Sequence, residues 1–321
     1  MSARSLRSGA SRLRRLAARG AGLAAAAVAR RIPEERALAL GAALGRLLWV
    51  VLPRRRLVRR HLRIAFPDWS RERIEDAGRA CFEELGRSLA EWSRLVELAP
   101  EELRERVEFR GVEHLERARA GGRGVLLATA HYGNWELLPA AWRATAPDVE
   151  LAVVGRHFGE GGFQERIERR RLHGGGSLLR PDAREILRAL RRGAAVGVLV
   201  DLYTSERRGG ILVPFFGRRA WTTSGPAILS LRTGAPIVPV SIRRVEGARH
   251  LAELLPALEA PRTGDRARDV QELTARMSAV FEALIRERPE PWLWLHRRWK
   301  RSPDLPDAAA RGLQGPAMRR G

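Results

Sequence analysis

Residues 124–136 read Gly124-Val125-Leu126-Leu127-Ala128-Thr129-Ala130-His131-Tyr132-Gly133-Asn134-Trp135-Glu136, and their reading decides the fold. An uncharged, largely apolar run from Val125 to Ala130 follows the glycines Gly121 and Gly122. A run of that length bounded by turn residues reads as a buried strand. It breaks at His131 into a polar turn, and the chain then opens a helix through Leu137 and Leu138. Strand, turn and helix in that order make one unit of an α/β sheet. Loops at the carboxyl ends of such strands are where active sites collect.

The same alternation continues outward. Leu151–Val154, Ala195–Val200, Ile211–Phe216 and Ile237–Ile242 read as strands. Between and after them, Arg184–Arg191 and Thr223–Arg232 read as helices. Residues 266–287 carry Val270, Leu273, Met277, Phe281 and Leu284 at helical spacing. The expectation is an α/β fold with a mixed, largely parallel sheet flanked by helices. Upstream, Ser70 caps a helix with Glu72 and Glu75 in its first turn and Ile74, Ala77, Cys81, Leu85 and Leu89 on one face. Pro100 starts a shorter one.

The first 65 residues differ in character. Residues 1–20 are rich in arginine and lack acids, and two apolar stretches follow, Ala21–Ala29 and Ala37–Leu52. Neither supplies the roughly 20 clean apolar residues of a spanning helix. Arg54, Arg55, Arg56, Arg59 and Arg60 come directly after the second. Apolar helices with arginine flanks fit an interfacial helix or one marginal anchor held from the cytoplasmic side; a buried amphipathic pair is the alternative. The sequence thus divides into a membrane-associated helical region (1–65), an α/β domain (66–300) and a Pro-, Gly-, Ala- and Arg-rich tail (301–321) with the composition of disorder.

The net charge is +22, carried almost wholly by arginine, Lys300 being the one lysine. Such an excess favours an anionic partner: nucleic acid, an anionic bilayer or a phosphorylated substrate. A basic nucleic-acid-binding protein is therefore a competing class. Against it, the arginines are scattered through amphipathic helices, and no nucleic-acid motif is present. The single cysteine, Cys81, excludes an internal disulfide and reads as a small core residue. His157 and His173 have no metal-ligand spacing, so no metal is expected. Gly174-Gly175-Gly176 lacks the lysine of a phosphate loop.

Chemistry concentrates at His131 and Glu136. A carboxylate accepting from one ring nitrogen fixes the tautomer and leaves the other nitrogen as a base. This is an orienter and a base without a serine, so the nucleophile must come from the substrate. A hydroxyl attacking a thioester fits. Gly133 lets the backbone approach a ligand, and Asn134 is placed to cap the helix or to bond a substrate oxygen. Trp135 reads as core. Asp201, at a strand end, serves either as a structural partner or as a substrate contact. Arg297 and Arg298 follow a tryptophan-rich strand and form either a solvated basic face or a headgroup contact.

These residues resemble the bacterial late acyltransferases of lipid A biosynthesis and their lysophospholipid acyltransferase relatives, over roughly residues 35–300. Arg54–Pro67 resembles the family's basic run into an Asn-Leu-x-x-x-Phe-Pro segment, with His61 where asparagine is usual. Gly86–Glu91 resembles its Gly-Arg…Glu helix, and His131–Glu136 its His-x4-Asp/Glu motif. Val154-Gly155-Arg156, Val213–Gly217 with Thr222-Thr223, and Ala235–Pro239 resemble three further blocks. Pro291–Lys300 resembles the terminal Trp-Leu-His-Arg-Arg segment. The resemblance implies a membrane-associated O-acyltransferase with His131 as general base and Glu136 as its orienter. It implies that Asn134, Arg156, Arg171, Asp201 and Gly217 serve the substrates, the two arginines binding anionic groups. It implies no cofactor beyond an acyl-carrier-protein or acyl-CoA co-substrate, and a phosphorylated glycolipid acceptor, a lipid A precursor ahead of a phosphatidylinositol mannoside or another lysolipid. The expected location is the cytoplasmic face of a bacterial inner membrane, with anionic lipid rather than nucleic acid as partner. One departure is Leu202 after Asp201, where the family often carries a polar residue.

Overall fold

The fold is described from a computed structural model covering residues 30–155 and 175–305. Among the described residues the N-terminal helices are α1 (Glu34–Val51), α2 (Arg55–Ala65) and α3 (Arg71–Arg94), the last capped by Ser70 accepting from the Arg73 N–H. Helix α4 (Pro100–Arg106) leads into β1 (Val107–Arg110) and α5 (Val112–Arg119). Then come β2 (Val125–Thr129), α6 (Leu138–Thr145), β3 (Leu151–Val154), β4 (Ser177–Leu179), α7 (Ala183–Arg191) and β5 (Ala195–Leu199). A hairpin of β6 (Gly210–Phe215) and β7 (Arg218–Thr223) is followed by α8 (Gly225–Thr233), β8 (Ile237–Glu246), β9 (Arg249–Leu254) and α9 (Arg266–Glu287).

Seven strands form one sheet in the order β1-β9-β8-β2-β5-β3-β4. Strands β8, β2, β5, β3 and β4 are mutually parallel, while β9 pairs antiparallel with β8 and carries β1 in its own direction. The mixed, largely parallel sheet is the expected one. The short strands β1, β4, β7 and β9 carry no apolar run long enough to read beforehand.

Alternation along β2 builds the two layers. Leu126 and Ala128 join the larger core, with Ile186, Leu273, Met277, Phe281 and the tryptophans Trp292, Trp294 and Trp299. Val125 and Leu127 face the other side, with Leu115, Trp142, Leu151 and Val240. Cys81 is buried in the larger core, where its thiol donates to the Trp292 carbonyl and desolvation pushes it up to about 12. Trp49 and Trp142 are also buried.

Helix α1 lies against α3 at very short range. A Cβ at Gly45 would sit 2.1 Å from the Phe82 carbonyl oxygen, and one at Gly86 would sit 2.0 Å from that of Gly41. These glycines let the two backbones touch. The opposite face of α1 exposes Leu40, Leu44, Leu47, Val50 and Val51. Among the described residues no single helix is long and apolar enough to cross a membrane, and α1 and α2 meet at 90°.

Two expectations are corrected. Residues 291–300 form turns rather than a strand, touching the loop after β2 by a single bridge between Trp292 and Tyr132. Residues 301–305, assigned by composition to the tail, pack on the β6–β7 hairpin. There Asp304 accepts from Arg219, and the Ser302 hydroxyl donates to the Arg219 carbonyl. Residues 306–321, like residues 1–29, lie outside the described chain.

Candidate active site

Parallel pairing of β2 and β5 sets Thr129 opposite Leu199. His131 and Asp201 each lie two residues beyond that pair, so the sheet register brings them together. The chain leaves these adjacent strand ends in different directions. From β2 it runs through α6 to β3 beyond β5, and from β5 through the hairpin and α8 to β8 beyond β2. A divergence of this kind opens a crevice at the carboxyl ends.

In that crevice the His131 Nδ1 lies 2.8 Å from Asp201 Oδ1, and the His131 backbone N–H donates to Asp201 Oδ2 at 3.0 Å. Trp292 Nε1 donates to the same Oδ2 at 2.8 Å. Burial pulls the Asp201 carboxyl up. The attraction of His131 and these three hydrogen bonds outweigh it and hold the group below its ordinary value. Asp201 is therefore a buried carboxylate that accepts from Nδ1 and leaves Nε2 as the basic nitrogen. The orienting bond given to Glu136 by the sequence is made on Nδ1 by Asp201. Asp201 is correspondingly not a substrate contact, its side chain being 1% exposed. Glu136 sits in the turn ahead of α6, not in the helix, and lines the same cavity as His131.

The segment 291–300 braces both partners. Gly133 N–H donates to the Pro291 carbonyl, and Leu293 N–H to that of His131. Gly133 has φ +61°, and a Cβ there would meet the Ile242 carbonyl at 2.0 Å, so only glycine fits. Tyr132 donates its hydroxyl to the Arg288 carbonyl. Arg298 is almost wholly buried, donating to the Trp221 carbonyl and Thr222 Oγ1, with its guanidinium over the Phe215 ring. Burial lowers it to about 10, against the pull of Asp201, so it is neither a solvated face nor a headgroup contact. His296 lines the cavity and accepts from the Tyr203 N–H at 2.9 Å. Desolvation takes it down to about 4; Asp201 opposes this, and the charges of Arg298, His131 and Arg54 add to it.

Asn134 is buried beneath the loop rather than in the cavity. Its amide donates to Glu91 Oε2 at 2.7 Å, and Arg244 donates to both Glu91 and Glu84. Burial raises Glu91, but His250 and Arg244 win and bring it to about 2. Asn134 thus ties the histidine loop to α3 instead of bonding a substrate oxygen. Gly217 is a hairpin residue. With Phe216 at φ 54° and Gly217 at φ 67°, the two-residue turn between β6 and β7 needs left-handed backbone at both positions. Arg156 and Arg171 lie outside the described residues.

The cavity has a volume of about 930 Å³. It is lined by the polar side chains of His131, Glu136, Tyr203, Arg208 and His296 and by the apolar ones of Leu127, Leu138, Trp142, Leu151, Val153 and Val240. Trp135 lines it too, its ring edge-on to His131 at 4.9 Å. Strand register sets Leu127, Val153 and Leu151 further back along the sheet than His131 and Asp201, so a base at one level and apolar walls at another suit an amphiphile reacting at its polar end. Reading the sequence missed Arg208, Tyr203 and Trp292. The signal available was the pair of apolar runs ending directly before His131 and Asp201. Among the described residues no three His, Cys, Asp or Glu side chains gather as a metal site.

Comparison with known proteins agrees with this chemistry. The chain is 28% identical over 269 residues to the lipid A biosynthesis palmitoleoyltransferase of Escherichia coli (strain K12), covering 82% of this chain and 85% of that one. It is 29% identical over 269 residues to the lipid A biosynthesis lauroyltransferase of the same organism, covering 83% and 85%. Identity is also 29%, over 229 residues, to the phosphatidylinositol mannoside acyltransferase of Mycobacterium tuberculosis (strain CDC 1551 / Oshkosh), covering 68% and 69%. A family model described as bacterial lipid A biosynthesis acyltransferase matches residues 8–301. With the match running from before α1 to the last brace of the site, the chain belongs to the bacterial lipid A biosynthesis acyltransferase family and is an O-acyltransferase.

Proposed function

We propose that this enzyme moves a fatty acyl group from an acyl thioester to a hydroxyl of a lipid A precursor, with His131 as general base. The observation that carries the reading is the His131–Asp201 contact in the wall of a largely apolar cavity of about 930 Å³. His131 Nε2 takes the proton of the acceptor hydroxyl as its oxygen attacks the thioester carbonyl. Collapse of the tetrahedral intermediate breaks the C–S bond, and the imidazolium returns the proton to the leaving thiolate. Asp201 holds the tautomer, and Glu136 adds its charge from the cavity wall to favour the imidazolium. A base of this kind supplies about 10² to 10⁴ in rate, so alignment of the two substrates supplies the rest.

The acceptor's anionic groups meet cationic groups at the cavity. Arg208 lines it, and Arg54 lies near enough for its charge to act on His296. The resemblance to the family gives Arg156 and Arg171 the same task. The exposed stripe of α1, followed by Arg54–Arg56, supports a helix lying in the interface on the cytoplasmic face of the inner membrane. The donor is an acyl-carrier-protein or acyl-CoA thioester, with no further cofactor.

Lipid mass spectrometry of a deletion strain tests the whole reading. We expect a lipid A species lacking one acyl chain, restored by the wild-type gene and not by His131→Ala. Normal lipid A together with an under-acylated phosphatidylinositol mannoside would transfer the assignment to the second acceptor. Restoration by His131→Ala would remove the histidine from catalysis.

A further inference from the structure

Gly197 occupies the middle of β5, between β2 and β3 in the parallel part of the sheet. Glycine weakens a central strand, because it packs nothing and loses the most freedom on folding. Its backbone gives no reason for it: φ at Gly197 is not in the left-handed region. Local crowding gives none either. A Cβ there would meet only the Ala152 carbonyl oxygen at 3.8 Å and Val153 Cγ2 at 4.0 Å, both ordinary contacts. Alanine would fit the protein as folded.

What Gly197 borders is the cavity. It lines the wall between its register neighbours Leu127 and Val153, both of which line it as well. The register also gives its depth. Leu127 and Gly197 lie four residues before His131 and Asp201, so roughly 13 Å of strand separates this level from the dyad. Leu151, paired with Ala195, lines the cavity at a deeper level. Trp142 and Phe109, ring to ring at 5.5 Å, complete the apolar lining. A side chain at position 197 on this face would stand in the cavity between the level of the dyad and that of Leu151.

We propose that Gly197 is a specificity-determining residue: its missing side chain keeps the channel open past the level of Leu127, and so sets how long an acyl chain the enzyme accepts. This rests on reading the cavity as the site of the acyl chain. The strand gives up packing at one position so that the tail of the donor can pass.

The test uses the full-length enzyme in detergent and a series of saturated fatty acids, octanoic to palmitic, read by thermal shift and by displacement of a fluorescent fatty acid. Acyl-CoA donors of the same chain lengths are assayed in parallel for transfer. Wild type is expected to bind the longer acids best. Gly197→Val is expected to lose about tenfold or more in affinity for the longest chains while keeping the shortest, and transfer should follow the same order. Gly197→Ala should keep or raise the melting temperature and shift the preference by a smaller step, which separates loss of room from loss of fold. If Gly197→Val binds every chain as wild type does, the proposal falls and the acyl reading of the cavity stands. If wild type binds none of the acids, both fall together.

Discussion

Asp201 shows how much one side chain decides. Its Oδ2 accepts two N–H donors, from the His131 backbone and from Trp292, while Oδ1 faces His131 Nδ1. In Asp201→Asn the amide oxygen must stay with the two donors, which turns the NH₂ toward Nδ1. The imidazole proton then moves to Nε2, and the base is lost with the geometry intact. We expect transfer to fall by about 10² to 10⁴, with thioester binding unchanged. A variant with near-normal turnover would show that Nδ1 needs no carboxylate. His131 was legible in the sequence because a charged-free run ends at it. Its partner was not, because the partner lies 70 residues away and only strand register joins the two. The nearer carboxylate, Glu136, was the natural choice for a reading confined to local spacing. Asn134 misled for the reverse reason: polar residues in an active-site loop are as readily spent on holding the loop.

At the scale of elements, α1 divides cleanly. Ala37, Leu38, Ala42, Gly45 and Trp49 face α3 and the core, while Leu40, Leu44 and Leu47 are about half exposed with Val50 and Val51 beside them. Because the inner face is already packed, replacing the outer leucines removes apolar surface without opening a cavity. We expect Leu40→Gln, Leu44→Gln and Leu47→Gln together to weaken binding to phosphatidylglycerol vesicles by at least tenfold, each leucine being worth up to about 1.5–3 kcal/mol when fully buried. The melting temperature should not move. Unaltered sedimentation with vesicles would place the membrane contact elsewhere. Helices α3, α7 and α9 read correctly from their periodicity, while α2 and α5 did not show in the sequence. The tryptophan-rich terminus did not, since an apolar run of aromatics suits a strand and a set of packed turns equally well until its neighbours are known.

Across the whole molecule, two buried histidines make stability depend on acidity. His61 is pushed down to about 3, first by desolvation, and its Nδ1 contacts the Trp294 carbonyl at 3.0 Å; His296 is down at about 4. Both folded values lie below the ordinary 6.5. The unfolded chain therefore binds protons that the folded one refuses as pH falls from 6.5 toward 4. Stability is full above that window and declines through it, by about 1.4 kcal/mol per pH unit for each titrating histidine. We expect the melting temperature to drop between neutral and moderately acidic buffer, and His61→Asn, which keeps a donor for Trp294, to flatten the drop. A melting temperature that does not vary with pH would mean that these imidazoles titrate normally.

The sheet's parallel centre was legible at the same scale, because buried strands are written as apolar runs. Its antiparallel edge of β1 and β9 was not, since polar and apolar residues mix there. The brace from Pro291 to Lys300 has one more consequence. The hydrogen bonds that it makes with the His131 loop and Asp201 come from Pro291, Trp292 and Leu293, far along the chain from both. A growing polypeptide emits α1 and both strands of the dyad before that brace, so His131 and Asp201 are without these bonds until residues 291–300 have followed.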